Sequence, residues 1–264
     1  MNESQIALVR RVLDTHRQFR HDIAVAVDGI AVRLHENVFN PFLAPSGPLM
    51  IHLAISGMFQ GLRVLDCACG SGVGSALLVA KGGARQVVAV DINPDAVACA
   101  SENARRFDVA DRVDVRQGDL FAPIRSGEEP FDVVVADFPF ADAEPCDMLE
   151  RAFFDPGLTA VRQCLKQVDQ FLAPEGRLIL AWSDLTPFPR PPLQLSTQEV
   201  GESKHRVGGI ELSLLELATR SGLQPRYQRQ FEKLWDDAAL RHAIEAIVGE
   251  SSDKPSDFKT NTAA

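Results

Sequence analysis

Residues 64–75, VLDCACGSGVGS, decide how the rest of the chain is read. An apolar run leads into Asp66, and glycines at 70, 72 and 74 separate that acid from the apolar stretch ALLVA. Glycine lets a chain turn tightly and lets a ligand reach bare backbone, and the amino end of a following helix favours a negative group such as a carboxylate. The order strand, glycine turn, helix is therefore expected here, with the helix over VGSALLVAKGG closing on glycines as a carboxyl-terminal cap would.

Outward from that turn the pattern repeats. RQVVAVD (85–91) is a second β-branched run, and NPDAVACASENARRFD (93–108) a second helix with Asn93 as N-cap and Pro94 at its first position. DRVDVRQGD (111–119), FDVVVAD (131–137) and GRLILAWSD (176–184) supply three further strands, and LTAVRQCLKQVDQFLAP (158–174) an amphipathic helix that stops at Pro174. Strands apolar on both faces, alternating with helices, predict a parallel sheet covered by helices on each side. Right-handed crossovers put every strand's carboxyl end on one edge, where open α/β sheets bind their ligands.

The flanks read differently. Ile6, Val9, Val12 and Leu13 are at helical spacing within the first 20 residues, HDIAVAVDGIAVRLHENVF (21–39) alternates like a hairpin about Asp28-Gly29, and NPFLAPSGP (40–48) is a loop. The segment from Ser183 to Arg206 is too long for a connector and reads as a lid, in which Lys204, His205 and Arg206 either bind a substrate carboxylate or, as the favoured reading, form a solvated charge run. GIELSLLELATRSG (209–222) has helical spacing, LQPRYQRQFEKLW (223–235) reads as a closing pair of strands, and DDAALRHAIEAIVGE (236–250) as a terminal helix. The expected division is an extension over 1–58, a ligand-binding catalytic domain over 59–249 and a disordered polar tail over 250–264.

Hydrophobic content of 45% and charged content of 24% are those of an ordinary globular protein. A net charge of -9 with no dense Lys/Arg stripe would repel a phosphate backbone, so no nucleic-acid partner is expected. Nothing approaches the run of about 18 apolar residues that spans a bilayer, and the amino terminus carries charges where a signal peptide needs apolar residues. A cytoplasmic protein without membrane contact is expected. The five cysteines, Cys67, Cys69, Cys99, Cys146 and Cys164, are odd in number and fit a reduced compartment. Cys67 and Cys69 lack a second pair or a histidine cluster, so no metal is expected.

Acids end the first three strands. Asp91 lies nineteen residues past Gly72, where a carboxylate can accept hydrogen bonds from two ribose hydroxyls. Asp119 follows the third strand, where it could accept from an exocyclic adenine amine, with Ile92 and Leu120 flanking the purine. Plainer readings exist beside these: Asp66 as an orienter of the glycine turn, Asp91 as a helix cap, Asp119 as a turn residue. A nicotinamide-binding domain is the rival for the whole set, but the third glycine of GxGxxG is not at its usual place.

In order and spacing, VLDCACGSGVG, AVDINP, QGDLF and VADFPF resemble the class I S-adenosylmethionine-dependent methyltransferases over residues 60–182, nearest the release-factor glutamine and amino methyltransferase type. The resemblance implies a doubly wound, mostly parallel, Rossmann-like α/β sheet of seven strands, here with a short N-terminal helix and β-hairpin extension. It implies S-adenosylmethionine as cofactor, with Asp66, Ala68, Gly70 and Gly72 at the methionine portion, Asp91 at the ribose, and Ile92, Asp119 and Leu120 at the adenine. Ala68 stands where the family usually has glycine, which is tolerable if the local φ is negative.

Methyl transfer from a sulfonium is an in-line substitution, so the protein must align a nucleophile and manage one proton. VADFPF (135–140) occupies the place of the Asn/Asp-Pro-Pro-Tyr/Phe motif of the amino-group enzymes, whose side-chain oxygen and backbone carbonyl accept hydrogen bonds from the target nitrogen. By that resemblance Asp137, Phe138 and Phe140 are the catalytic set, although Phe138 replaces the first proline. A carboxylate at Asp137 favours a cationic amine, on the acceptor or on the cofactor. Phe138, Phe140, Phe39 and Phe42 either surround that cation or are plain core. Ser183 and Tyr227 are further substrate candidates.

HENVFNPFLAPSGPL (35–49) resembles the subfamily's lead-in. The extension is nevertheless short for the helical domain with which the glutamine enzymes hold release factors. The expectation is therefore methylation of an amine nitrogen on a small-molecule substrate. One alternative is cyclisation of S-adenosylmethionine by attack of its own amine, giving azetidine-2-carboxylate and methylthioadenosine; another is a non-catalytic module that senses the cofactor.

Overall fold

The computed structural model describes residues 3–17, 23–27, 29–43, 46–183, 197–207 and 210–219. The chain opens with helix α1 (Glu3–Arg17) and an antiparallel hairpin, β1 (Ile23–Val27) and β2 (Ile30–Leu34), with Gly29 in its turn at a φ of 74°. Helix α2 (Ser46–Ile55) leads into β3 (Arg63–Cys67), α3 (Val73–Ala80), β4 (Gln86–Asp91), α4 (Pro94–Arg106), β5 (Val113–Gln117) and β6 (Phe131–Ala136). Then follow α5 (Thr159–Gln167), β7 (Leu172–Ser183), β8 (Thr197–Val207) and β9 (Ile210–Thr219).

Strands β3 to β9 form one seven-stranded sheet in the order β5-β4-β3-β6-β7-β9-β8. The first five are mutually parallel, and β9 runs antiparallel to both β7 and β8. From β3 the chain builds outward through β4 and β5, then returns to add β6 and β7 on the other side. The direction of winding thus reverses between β3 and β6, and a crevice opens at their carboxyl ends.

Period-two alternation explains why both faces are buried. Val64, Val87, Ala89, Val133, Val135 and Ile179 enter a core shared with the hairpin, α2, α3 and α4. Their neighbours Leu65, Val88, Val90, Val134, Leu178 and Leu180 enter a second core shared with α5. All five residues of β3 are buried, as a central parallel strand requires.

The amino-terminal elements are bound to this sheet by specific groups. Asn103 of α4, fully buried, accepts from the Arg33 N–H at 2.9 Å and donates to the Arg33 carbonyl at 2.8 Å and the Ser71 carbonyl at 2.9 Å. One amide thereby joins β2, α4 and the glycine turn. Helix α1 packs Val9 and Leu13 against Ala141, Leu149, Phe153 and Phe154, and Arg17 pairs with Asp147 and Glu150, each at 2.9 Å. At the opposite edge of the sheet, Glu128 receives Arg63 at 2.6 Å and Arg116 at 2.8 Å.

Three expectations are corrected. Residues 46–55 form α2, although SGPLMIHLAI had been read in part as loop: Pro48 falls in the first turn of the helix, where a missing N–H costs nothing. Residues 210–219 form strand β9 and not a helix; the backbone pairing of Leu178↔Leu217 and its neighbours overrides an ambiguous leucine spacing. Residues 197–207, assigned to a lid, form strand β8, which places Lys204, His205 and Arg206 in a ladder opposite Ser213, Leu212 and Glu211. The expected closing strands over 223–235, the terminal helix over 236–250 and the tail lie outside the described residues. Among the described residues no helix is long and apolar enough to cross a membrane.

Candidate active site

A cavity of about 320 Å³ lies at the carboxyl ends of β3, β4 and β6, walled by the glycine turn, the residues after β5 and the start of α2. Of the residues singled out from the sequence, Asp66, Ala68, Gly70, Asp91, Ile92, Asp119, Leu120, Asp137, Phe138, Phe140 and Phe39 line it.

The glycine turn and the two acids beside it form one hydrogen-bonded unit. Asp66 accepts from the Ser75 hydroxyl at 2.5 Å, and Asp91 accepts from the Gly70 N–H at 2.8 Å and the Asn93 N–H at 2.9 Å. Ala68 and Cys69 donate their N–H groups to the Val90 carbonyl at 2.8 and 3.0 Å. These bonds fix both carboxylates while leaving lone pairs on each for a ligand. Burial raises the Asp66 carboxyl to about 6, against the Ser75 hydrogen bond and with help from the Asp91 charge. Burial also raises Asp91, opposed by its backbone N–H partners. The helix caps are occupied by others: Gly72 precedes α3, and Asn93 caps α4 by accepting from Asp95 N–H.

Gly70 turns at a φ of 53°, and a Cβ there would meet nothing within 4 Å, so bare backbone faces open space. Gly72 is a correction. It does not line the cavity; its Cβ would lie 2.4 Å from the Ala100 Cβ, so its role is the close approach of α3 and α4.

Ala68 is a second correction, because its φ is 68° and not negative. The Cβ of an L-residue in this region costs about 1 to 2 kcal/mol. Replacing it by glycine also loosens the unfolded chain, by about 0.4 to 1 kcal/mol. The strain wins: Ala68→Gly is expected to stabilise the protein by about 0.5 to 1 kcal/mol, read as a higher urea midpoint, and a lower midpoint would show that the strain is not there. Leu120, at a φ of 48°, is likewise held in the left-handed region on the cavity wall.

Asp137 follows the tip of β6 and shares the cavity wall with Ser46, the first residue of α2. Burial raises its carboxyl to about 6, the neighbouring Ser46 side chain opposes this, and the Asp66 charge adds to it. Asp66, Asp91, Asp119, Asp137 and Asp155 line the cavity, and Arg151 is the one lysine or arginine among the described lining residues. The interior is therefore strongly anionic.

Three of the four phenylalanines line the cavity, each anchored in the core of its own element. Phe138, 3% exposed, belongs to the core with Leu65 and Leu120, while Phe140 and Phe39 pack on the cluster under α1, where Phe39 meets Phe153 edge-on at 4.6 Å. Phe42 packs on the opposite core and is not in the cavity wall. Aromatic residues distributed over three cores are divided by sheet face and element, which spacing along the chain does not reveal. Ser183 is the last residue of β7, and Tyr227 lies outside the described residues. Ser46, Met148, Arg151 and Gln163 also stand on the wall; Ser46 falls within the lead-in 35–49 without being singled out there, and the other three lie in no recognisable motif.

The profile of the family described as "Methyltransferase domain" matches residues 59–232, about two thirds of the chain. A ribosomal protein uL3 glutamine methyltransferase of Bradyrhizobium diazoefficiens is 34% identical over 44% of this chain and 39% of its own length. A release factor glutamine methyltransferase of Cereibacter sphaeroides is 32% identical over 50% of this chain and 49% of its own. The chain thus spans half or less of the length of these curated relatives. Among solved structures, a methyltransferase from Pyrococcus furiosus superposes with a TM-score of 0.52 at 18% identity, over 72% of this chain and 89% of that one, a likeness of fold. The names of these relatives overturn the expectation of a small-molecule substrate, since both denote enzymes of protein acceptors.

Proposed function

The chain belongs to the methyltransferase domain family, and from that premise we propose that it is an S-adenosylmethionine-dependent enzyme that methylates a nitrogen of a protein. The observation that carries this is the meeting of the glycine turn and Asp137 on one cavity. A backbone cradle and two fixed carboxylates line it together with one half-buried acid at the neighbouring strand tip.

The residues present suit the cofactor. Asp91 keeps free lone pairs for ribose hydroxyls, Asp119 is exposed at the mouth toward the adenine, and Gly70 with Asp66 faces the methionine portion. When bound, S-adenosylmethionine supplies an electrophilic methyl group. Asp137 accepts a hydrogen bond from the acceptor N–H, aims the nitrogen lone pair into the cavity and takes the proton that the nitrogen releases. An anionic interior favours an amine that arrives as a cation and gives one proton to Asp137 before its lone pair attacks the methyl carbon.

The test supplies methyl-labelled S-adenosylmethionine with a preparation of ribosomal proteins and release factors, and separately alone. Label in protein together with S-adenosylhomocysteine is the expected result. Methylthioadenosine formed without an acceptor would replace this reading by cyclisation, and binding with no turnover in either arm would replace it by a sensing module.

A further inference from the structure

Between Asp137 and α5 the chain makes a loop over residues 141–155, and Met148, Arg151 and Phe153 of that loop line the cavity. Its base is closed on itself. Ala141 donates its N–H to the Phe153 carbonyl at 3.0 Å and accepts from the Asp155 N–H at 2.9 Å, so the loop leaves and returns at one place.

The rest of the loop is held by an element remote in the sequence. The Arg17 guanidinium, at the end of α1, donates to Asp147 and to Glu150, each at 2.9 Å. Both carboxylates also bind the loop's own backbone: Asp147 accepts from the Glu150 N–H and Glu150 from the Cys146 N–H, each at 2.8 Å. Arg17 thereby closes a ring of bonds over residues 146–150. Leu149, Phe153 and Phe154 share a core with Val9 and Leu13 of α1. Met148, 38% exposed, lies between the two acids in sequence, and Arg151 follows the second. Both stand on the cavity wall, to which α1 gives none of the described lining residues.

We propose that Arg17 is a positioning residue for the acceptor: from α1 it holds residues 146–151 in the form that receives the protein segment bearing the methylated nitrogen. This rests on the reading of Asp137 as the group that meets that nitrogen. The residues proposed for the cofactor belong to β3, β4 and the turns after β3, β4 and β5, whereas the 141–155 loop holds none of them and continues the chain from Asp137. Met148 offers an apolar contact, and Arg151 offers N–H donors for the carbonyls of an extended chain. With side chains 38% and 48% exposed, the Arg17–Asp147 pair adds little to global stability. Its effect is local, keeping one loop closed within a fold that stands without it.

The full chain labelled with 13C at its methionine methyl groups tests this without a known acceptor, the Met148 resonance being the one lost in Met148→Leu. In Arg17→Ala that resonance is expected to move toward its position in the unfolded chain, while those of Met50 and Met58 stay and the urea midpoint is nearly unchanged. Arg17→Lys, which keeps the charge without the planar fork, must fall between. With the preparation of ribosomal proteins and release factors as probe, the labelling rate of Arg17→Ala is expected to fall about tenfold at low preparation concentration and to stay within about threefold at saturation, with cofactor affinity unchanged. Asp147→Ala opens the same ring from the loop, must move Met148 in the same direction, and serves in place of the arginine variant should that one not fold. An unmoved Met148 in Arg17→Ala, or a loss of rate equal at both concentrations, overturns the inference alone. Absence of transfer by the unaltered chain removes the reading on which it rests, and the inference with it.

Discussion

Asp137→Ala is expected to lower methyl transfer by about a thousandfold while leaving S-adenosylmethionine affinity within about tenfold. The carboxyl stands at the end of β6, on the wall of the same cavity as the Gly70 backbone and the Asp91 carboxylate that are proposed for the cofactor. Removing it takes away the acceptor of one proton and the director of one lone pair, each absent from cofactor binding. The pH profile follows the same logic. Burial holds this acid up at about 6, so it is ionised above that pH and protonated below, and activity falls as pH drops through about 6.

The same burial has a cost for the fold, with a definite sign. A carboxyl raised in the folded state destabilises the protein above its folded pKa, and the penalty disappears once pH falls below the ordinary carboxylate range. Asp137→Asn, which keeps the shape and removes the charge, is therefore expected to raise stability at pH 7.5 by on the order of 1 to 3 kcal/mol and to leave it unchanged near pH 3.5. Chemical denaturation at the two pH values, beside the turnover assay of the alanine variant, separates function from fold. Undiminished turnover in Asp137→Ala would remove the acid from the reaction; an Asn variant less stable at pH 7.5 would show the charge to be satisfied.

Gly72→Ala carries the largest expected loss of stability. Gly72 has a φ of 71°, and a Cβ would stand 2.4 Å from the Ala100 Cβ and 2.5 Å from the Ala100 Cα, both in α4. Left-handed strain of about 1 to 2 kcal/mol and overpacking of about 1 to 3 kcal/mol add, while a stiffer unfolded chain returns about 0.4 to 1 kcal/mol. Relief by separation of the helices is blocked, because Asn103 of α4 holds the Ser71 carbonyl at 2.9 Å. The net is a loss of about 1.5 to 4 kcal/mol, visible as a lower urea midpoint. A cofactor-contacting glycine would behave in the opposite order, losing affinity with stability intact, and that outcome would restore Gly72 to the cavity.

These two residues show how unevenly the site was legible. Asp137 was found because a strand tip is marked by a change from apolar to acidic residues, and the ligand edge of a parallel sheet follows from its connectivity. Gly72 was assigned to the ligand because a glycine that admits a ligand and one that admits a helix leave the same letter in the sequence. Ala68 was expected at negative φ for a similar reason: the residue type constrains the backbone only by preference, and the turn between β3 and α3 overrides it. Helical spacing in residues 210–219 yielded to strand pairing because leucine-rich runs of this length satisfy either period.

By itself the sequence determined the order of strands and helices from β3 to β7, the place of the crevice and the acids at its rim, since these depend on periodicity and on turn chemistry within a few residues. Only the tertiary structure decided which glycine faces the cavity, that Phe42 leaves it, and that Ser46 shares its wall with Asp137. Those facts are contacts between segments remote in the chain, set by how α2, α3 and α4 pack on the sheet. No local pattern of residues carries the distance between them.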